Sequence, residues 1–270
     1  MSANPALLVP RRERGWRMGL RSMLSKELAA WWKTRRGWVQ CLVALIVLNG
    51  LLALNLRTNR GPNAVENATL AFLVTAALCV PFAAVSLAQD SILGEKHSGT
   101  AAWVLSKPLR RPAYVLAKLI AHGLGTFVAW VVLPGVVGYL QLLKPADGYF
   151  TPLRIAGVMG LDYLNLLFFL TLALMLATFF NGRGPVLGIS LVLAWAGPMP
   201  FISAPIQTYA PWLYDFMPWR LLIDFEHNRQ LAYYLANGRP LPTVVPIIAT
   251  ALWCVLFTAV AIWRMTREEF

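Results

Sequence analysis

Charge, cysteine and histidine are all scarce in this chain, and each shortage removes a class of protein. Only 13% of the 270 residues are charged while 58% are hydrophobic, and the mean hydropathy of +0.57 is far above what a water-soluble domain tolerates. A soluble enzyme is therefore a poor reading. The three cysteines, Cys41, Cys79 and Cys254, lie in apolar runs, too far apart for a metal knuckle and odd in number for a disulfide framework. They read as small core hydrophobes. His97, His122 and His227 are too scattered for a His-Glu-x-x-His motif or a facial metal set. No Gly-x-x-x-x-Gly-Lys-Ser/Thr occurs, so the chain has no P-loop of its own and no cofactor is expected in it. The first 36 residues lack the apolar centre of a cleavable leader, and the N-terminus is expected to be retained.

What the chain does have is long runs without ionisable side chains. Read between charges, they predict six spans of about 37–56, 67–89, 119–143, 155–182, 184–203 and 240–263, each long enough to cross hydrocarbon as a helix. The fifth is the least regular. Pro198, Pro200, Pro205 and Pro211 argue against a continuous helix beyond about Gly197, so an irregular outer end is expected. The fold class is all-α and polytopic, with both termini on one side. Lys and Arg choose that side: seventeen of the 24 fall on the segments that share it with the termini, and seven on the others. The positive-inside rule then places the termini in the cytoplasm and accounts for much of the formal +12 without a nucleic-acid partner.

Three segments are not simple spans. After a basic tail of residues 1–15, residues 16–36 carry Trp16, Leu20, Met23, Leu24, Leu28, Trp31 and Trp32 at helical spacing with Arg17, Arg21, Lys26 and Lys33 between them. This predicts an amphipathic helix on the membrane surface, either a passive anchor or an elbow that transmits motion. Residues 90–118 form a polar connection, too long for a turn and too short for a domain. Within it Ser98-Gly99-Thr100 is a plausible helix start, Ala101 to Ser106 give about two turns that present Trp103 and Leu105, and Lys107-Pro108 end them. Such a knob suits a partner's groove, although an ordinary loop reads equally well. Residues 206–241 mix Tyr209, Trp212, Tyr214, Phe216, Trp219, Phe225, Tyr233 and Tyr234 with Asp215, Arg220, Asp224, Glu226 and Arg229, which favours short helices at the outer interface.

Asp162 is the sole carboxylate inside a run. Eight residues beyond Arg154, it reads either as a hydrated interfacial group or as a contact for substrate or a proton. His122 lies near the inner interface and reads as a satisfied polar residue or a relay. Both are candidates for a substrate path.

The run Gly94-Glu95-Lys96-His97-Ser98-Gly99-Thr100, then Leu105-Ser106-Lys107-Pro108-Leu109-Arg110-Arg111 and Lys118, resembles a pattern in the membrane subunit of type-2 ABC exporters: a Glu, a Gly-Thr, a Leu-Ser-x-Pro-x-x-Arg and a Lys entering the third span. Lys26-Glu27-Leu28 followed by Thr34-Arg35-Arg36 resembles that family's elbow start, and Arg267-Glu268-Glu269-Phe270 its ending. The resemblance covers nearly the whole chain in layout and about twenty residues in motif. It implies a permease working as a dimer with a second copy or a homologue. Two copies of an ATP-binding cassette ATPase would hold ATP and Mg and dock on a coupling helix near residues 98–106. The implied docking residues are Glu95, Ser98, Gly99, Thr100, Trp103, Leu105, Ser106, Pro108 and Arg110, with Lys26 and Glu27 of the elbow. Glu95 and Arg110 would fix the register. A re-entrant outer hairpin is implied between spans five and six. The family shares no single substrate, so none carries over. A membrane scaffold or sensor that recruits a cytoplasmic protein is the alternative, and an enzyme acting on lipid is remote because no acid, base or metal cluster is present.

Overall fold

The computed structural model describes residues 15–61, 63–106, 109–143, 151–223 and 230–268. Outside it fall residues 1–14 of the basic tail, Pro62, Lys107 and Pro108, residues 144–150, the outer stretch 224–229 with Asp224, Phe225, Glu226 and Arg229, and Glu269 and Phe270. The side chains of Ala102 and Leu105 are likewise not described.

Among the described residues every regular element is helical. The helices are α1 (Leu20–Trp32), α2 (Arg35–Thr58), α3 (Ala64–His97), α4 (Thr100–Leu105), α5 (Arg111–Leu143), α6 (Pro152–Phe179), α7 (Arg183–Trp195), α8 (Pro200–Tyr209), α9 (Pro211–Tyr214), α10 (Leu231–Ala236) and α11 (Val245–Arg267). Five of them, α2, α3, α5, α6 and α11, are long and apolar enough to cross a bilayer, and α7 with α8 makes a sixth if that bent pair is one span. In hydrocarbon the backbone must satisfy itself, which is why these runs close into helices. Local chemistry sets their starts. Thr34 and Thr151 each turn a side-chain oxygen to a first-turn backbone N–H, that of Arg36 and of Arg154. Pro152 follows at a position where no N–H is needed.

Helix α6 runs through the centre of the bundle and packs on α3 and α11. The contact is built from small residues, Ala83, Ala84 and Ala88 on α3 and Ala173 and Ala177 on α6, all buried, with Leu166, Leu170 and Leu174 between them. Small side chains let backbones approach, and close packing is what holds helices together where lipid is as apolar as leucine. Two spans contain a π-helical stretch, Leu45–Asn49 in α2 and Phe127–Val132 in α5.

Three features go beyond what the sequence expectations specify. Helix α3 continues past residue 89 to His97, where its polar last turns find protein partners. Where the fifth span is expected to turn irregular, α7 stops at Trp195 and α8 resumes at Pro200 with a bend of 67°, as expected where prolines remove donors. Helix α1 does not offer its whole apolar stripe to lipid. Met23, Glu27 and Trp31, four residues apart along one face, are buried, and α1 packs on the start of α5.

One end of the bundle carries α1, α4, the last turns of α3, the start of α5 and the end of α11. We refer to it as the proximal end. At the other end the chain after α9 turns back into the bundle, and Leu221, Leu222 and Ile223 are buried there. Tyr233 of α10 donates a hydrogen bond to Glu66 at the start of α3, and Trp253 of α11 donates to the carbonyl of Phe216.

Candidate functional site

At the proximal end, i and i+4 pairs from three helices converge: Glu27 and Trp31 of α1, Ser91 and Glu95 of α3, and Tyr114 and Lys118, continued by His122, of α5. Four-residue spacing stacks such side chains on one face. Lys118 lies at the centre and is 1% exposed. Its Nζ is 2.7 Å from the carbonyl oxygen of Ser91, 3.1 Å from Glu95 Oε2 and 3.3 Å from Glu27 Oε1. An ammonium has three donors, and three acceptors meet it. Tyr114 donates its hydroxyl to Glu95 Oε2 at 2.6 Å, and Lys26, half exposed, reaches Glu95 Oε1 at 3.2 Å. Two carboxylates and two ammonium groups leave no net charge. A buried ion cluster of this kind holds its register because loss of one member strands the others.

One turn deeper, Trp31 is 1% exposed and donates its indole N–H to His122 Nδ1 at 3.3 Å. Its ring lies against Gly125, where a Cβ would come within 2.2 Å of Trp31 Cδ2. Only glycine leaves room for the indole at that point. The pairings Glu27 with Lys118 and Trp31 with His122 set α1 alongside α5 in parallel, and the pairings of Ser91 and Glu95 set α3 antiparallel to it.

Helix α4 stands on this base. Gly99 adopts a left-handed φ of +69° and reverses the chain out of α3, a conformation glycine takes without penalty. Ser98 and Thr100 share a hydroxyl hydrogen bond of 2.8 Å, Trp103 N–H bonds back to the Gly99 carbonyl, and Ser106 donates to the carbonyl of Trp103 at 2.8 Å. Trp103 is 62% exposed and Val104 buried, so the helix presents one face and rests on the other. Between α1 and α4 lies an open cavity of about 330 Å³ lined by Gly19, Ser22, Met23, Lys26, Trp103, Val104 and Leu109. The exposed Arg110 begins α5, and its N–H bonds to the carbonyl of Met18.

Further contacts tie the last turns of α3 to the rest of the proximal end. Lys96 pairs with Glu268 at 2.8 Å and donates to the carbonyl of Thr178. His97 Nε2 lies 2.6 Å from the carbonyl of Asn181. Asp90 meets Arg183 at 2.7 Å, and Arg111 donates to the carbonyls of Met265 and Thr266. The last turns of α3, which carry α4, are thus bonded to α1, α5, α6, α7 and the end of α11.

The residues singled out from sequence separate into three groups. Ser98, Gly99, Thr100, Trp103, Ser106, Arg110 and Lys26 lie on or beside α4, whereas Pro108 and the side chain of Leu105 lie outside the described residues. Glu95, partly buried, and Glu27, buried, are engaged by Lys118 within the chain. Asp162 and His122 are not brought together. His122 faces Trp31 of α1, and Asp162 is buried in α6 at 8% exposure, which corrects the hydrated interfacial reading. Leu222 of the returning turn lines the same small cavity as Asp162. The load on Lys118 and Tyr114 lies outside the sequence expectations. Its signal is their i, i+4 spacing with His122, which puts three polar groups on one stripe of an otherwise apolar helix. Among the described residues no group of three or more His, Cys, Asp or Glu side chains is placed to hold a metal ion.

A helical bundle with several helices long and apolar enough to cross a membrane and a braced, exposed short helix at one end defines a polytopic membrane protein. Residues 21–270 match the family described as ABC-2 family transporter protein, and the chain belongs to that family as an ABC-2 type permease. A Pseudomonas aeruginosa protein described as a probable ABC transporter permease protein NosY is 27% identical to it over 210 residues, covering 73% of this chain and 75% of the relative. The chain is thus a transporter permease subunit, for which the family implies nucleotide binding in a partner ABC ATPase.

Proposed function

We propose that this permease is an exporter that works as a dimer, with a second copy or a homologue, in the cell membrane. Both termini are cytoplasmic, and α4 receives the power stroke from two copies of an ATP-binding cassette ATPase that carry ATP and Mg. Exposed Trp103, held out on α4 over the cavity beside α1, is the observation that carries this reading. A large amphipathic ring on a rigid stalk is the kind of anchor that fills a partner's pocket. The excess of Lys and Arg on the segments that share a side with the termini supports the orientation. Nucleotide shifts the partner between two shapes, and a permease with two conformations follows the one it binds better. The bonds from Glu95, Lys96, His97 and Asp90 carry that shift into the bundle, while Lys118 keeps α1, α3 and α5 moving as one body. The permease itself then performs no chemistry, and hydrolysis belongs to the partner.

The test is Trp103→Ala in the full-length chain, isolated from membranes with its ABC ATPase. The permease alone keeps its unfolding midpoint, while ATPase recovery falls about tenfold or more, as for loss of an interface anchor worth about 2 kcal/mol. Undiminished recovery together with unchanged substrate-stimulated ATP hydrolysis would falsify the docking role.

A further inference from the structure

Residues of both π-helical stretches, Leu48 of α2 and Trp130 and Val131 of α5, bound a small cavity of about 20 Å³ together with Phe72 of α3, Met159 of α6 and Leu222 of the returning turn. A π stretch offsets a helix's side chains from their regular ridges and recurs at functional positions. Into this cavity projects Asp162, whose Oδ1 is buried with no hydrogen-bond partner. On a rise of about 1.5 Å per residue Asp162 lies ~15 Å below the distal start of α6, about half the thickness of a hydrocarbon core.

We propose that this cavity is a proton site: Asp162 holds its carboxyl there in the neutral form. None of the other side chains lining the cavity is titratable. Of the elements packed against α6, α10 offers Tyr233, bonded to Glu66, and Tyr234; α11 offers Cys254 before Arg264 and Arg267; and α7 offers Arg183, bound to Asp90. On α2 and α5 the charged groups, Arg35, Arg36, Arg57, Arg111 and Lys118, lie near the helix ends, with His122 one turn deeper on Trp31. On α3 they are Glu66 at the distal end and Asp90, Glu95, Lys96 and His97 at the proximal end. Arg220 beside the returning turn pairs with Asp215, and Arg154 packs against Gly238. A carboxylate here would be a buried charge without a cation, and such a group neutralises itself by taking up a proton.

Size and chemistry exclude other occupants. A transported molecule does not fit a space of roughly one water's size. A sodium ion would need several oxygen ligands, and the other lining side chains are hydrocarbon or indole. Asn49, in the π stretch of α2, is buried with both amide atoms unpartnered and adjoins the same Phe72 ring across Gly138, which makes this level of the bundle more polar than its surroundings.

The experiment is infrared spectroscopy of the full-length protein in lipid nanodiscs at a pH where exposed carboxyls are ionised. A residual protonated-carboxyl C=O band is expected, moved by heavy water, moved again when aspartate alone is isotopically labelled, and lost in Asp162→Asn. Absence of the band from the folded wild type overturns the proposal without any variant, as does a band insensitive to aspartate labelling. Loss of the band on adding sodium at constant pH would make the site a metal-ion site instead.

Discussion

Replacing Lys118 with methionine tests the polar hub at its centre. The substitution keeps the length of the stem and removes only the ammonium, which is bonded to the Ser91 carbonyl at 2.7 Å, Glu95 at 3.1 Å and Glu27 at 3.3 Å. At an effective dielectric of about 20, each of the two ion pairs is worth roughly 5 kcal/mol of attraction. The desolvation of three charges offsets much of it, so the intact cluster adds little net stability. Its removal is different. Lys118→Met leaves two carboxylates facing each other without their shared cation and costs about 3–5 kcal/mol. Glu95→Gln costs less, about 1–2 kcal/mol, because the amide oxygen still accepts from Tyr114 and Lys118 keeps Glu27. The triple change Glu27→Gln, Glu95→Gln, Lys118→Met strands no ion and returns to within about 2 kcal/mol of the wild type, so the changes are strongly non-additive. Denaturant-driven unfolding in mixed micelles, read as a mutant cycle, measures all of these. A single Lys118→Met within about 1 kcal/mol of wild type, or a triple variant as unstable as the single, refutes the reasoning.

Other expectations follow from neighbouring contacts. Gly125→Ala places a methyl group within 2.2 Å of the Trp31 ring and should destabilise by about as much as Trp31→Ala, ~3–5 kcal/mol, with no further loss when both are combined; a fully additive pair contradicts the close approach. Asp90→Asn, which breaks an exposed pair with Arg183, should change stability by less than about 1 kcal/mol and less still at high salt. Tyr233→Phe removes the bond to Glu66 and should loosen α10 from α3 by about 1.5–3 kcal/mol, as for a hydrogen bond to a charged group. That loosening is read as faster thiol labelling at a cysteine introduced in place of buried Ala232, with unchanged labelling at the proximal end.

The helical, multi-span class was legible because hydrocarbon tolerates few alternatives, and runs free of charge say where it lies. The prolines at 198 and 200 announced the break between α7 and α8. What escaped was the fate of polar residues at the margins. Sequence reading ends a span at the first charge, but Asp90, Glu95, Lys96 and His97 each find a partner 19 to more than 170 residues away in the chain, and so α3 continues through them. Lys118, known from sequence only as the Lys that enters the third span, is the most buried charge in the cluster. Asp162 looked hydrated from its distance to Arg154, because nothing local reports that residues 221–223 fold back over it. Spacing within a helix is written in the sequence; which helix it meets is written only in the packing.

The most direct test of coupling through α4 is site-specific photocrosslinking in native membranes, with a photoreactive residue in place of Trp103 and, as a control, in place of exposed Tyr209 at the distal end. The account predicts an adduct with an ATP-binding cassette ATPase from position 103 alone, with a yield that changes when ATP is trapped on the partner. An ATPase adduct from position 209, or none from position 103 while the transporter is active, would contradict it.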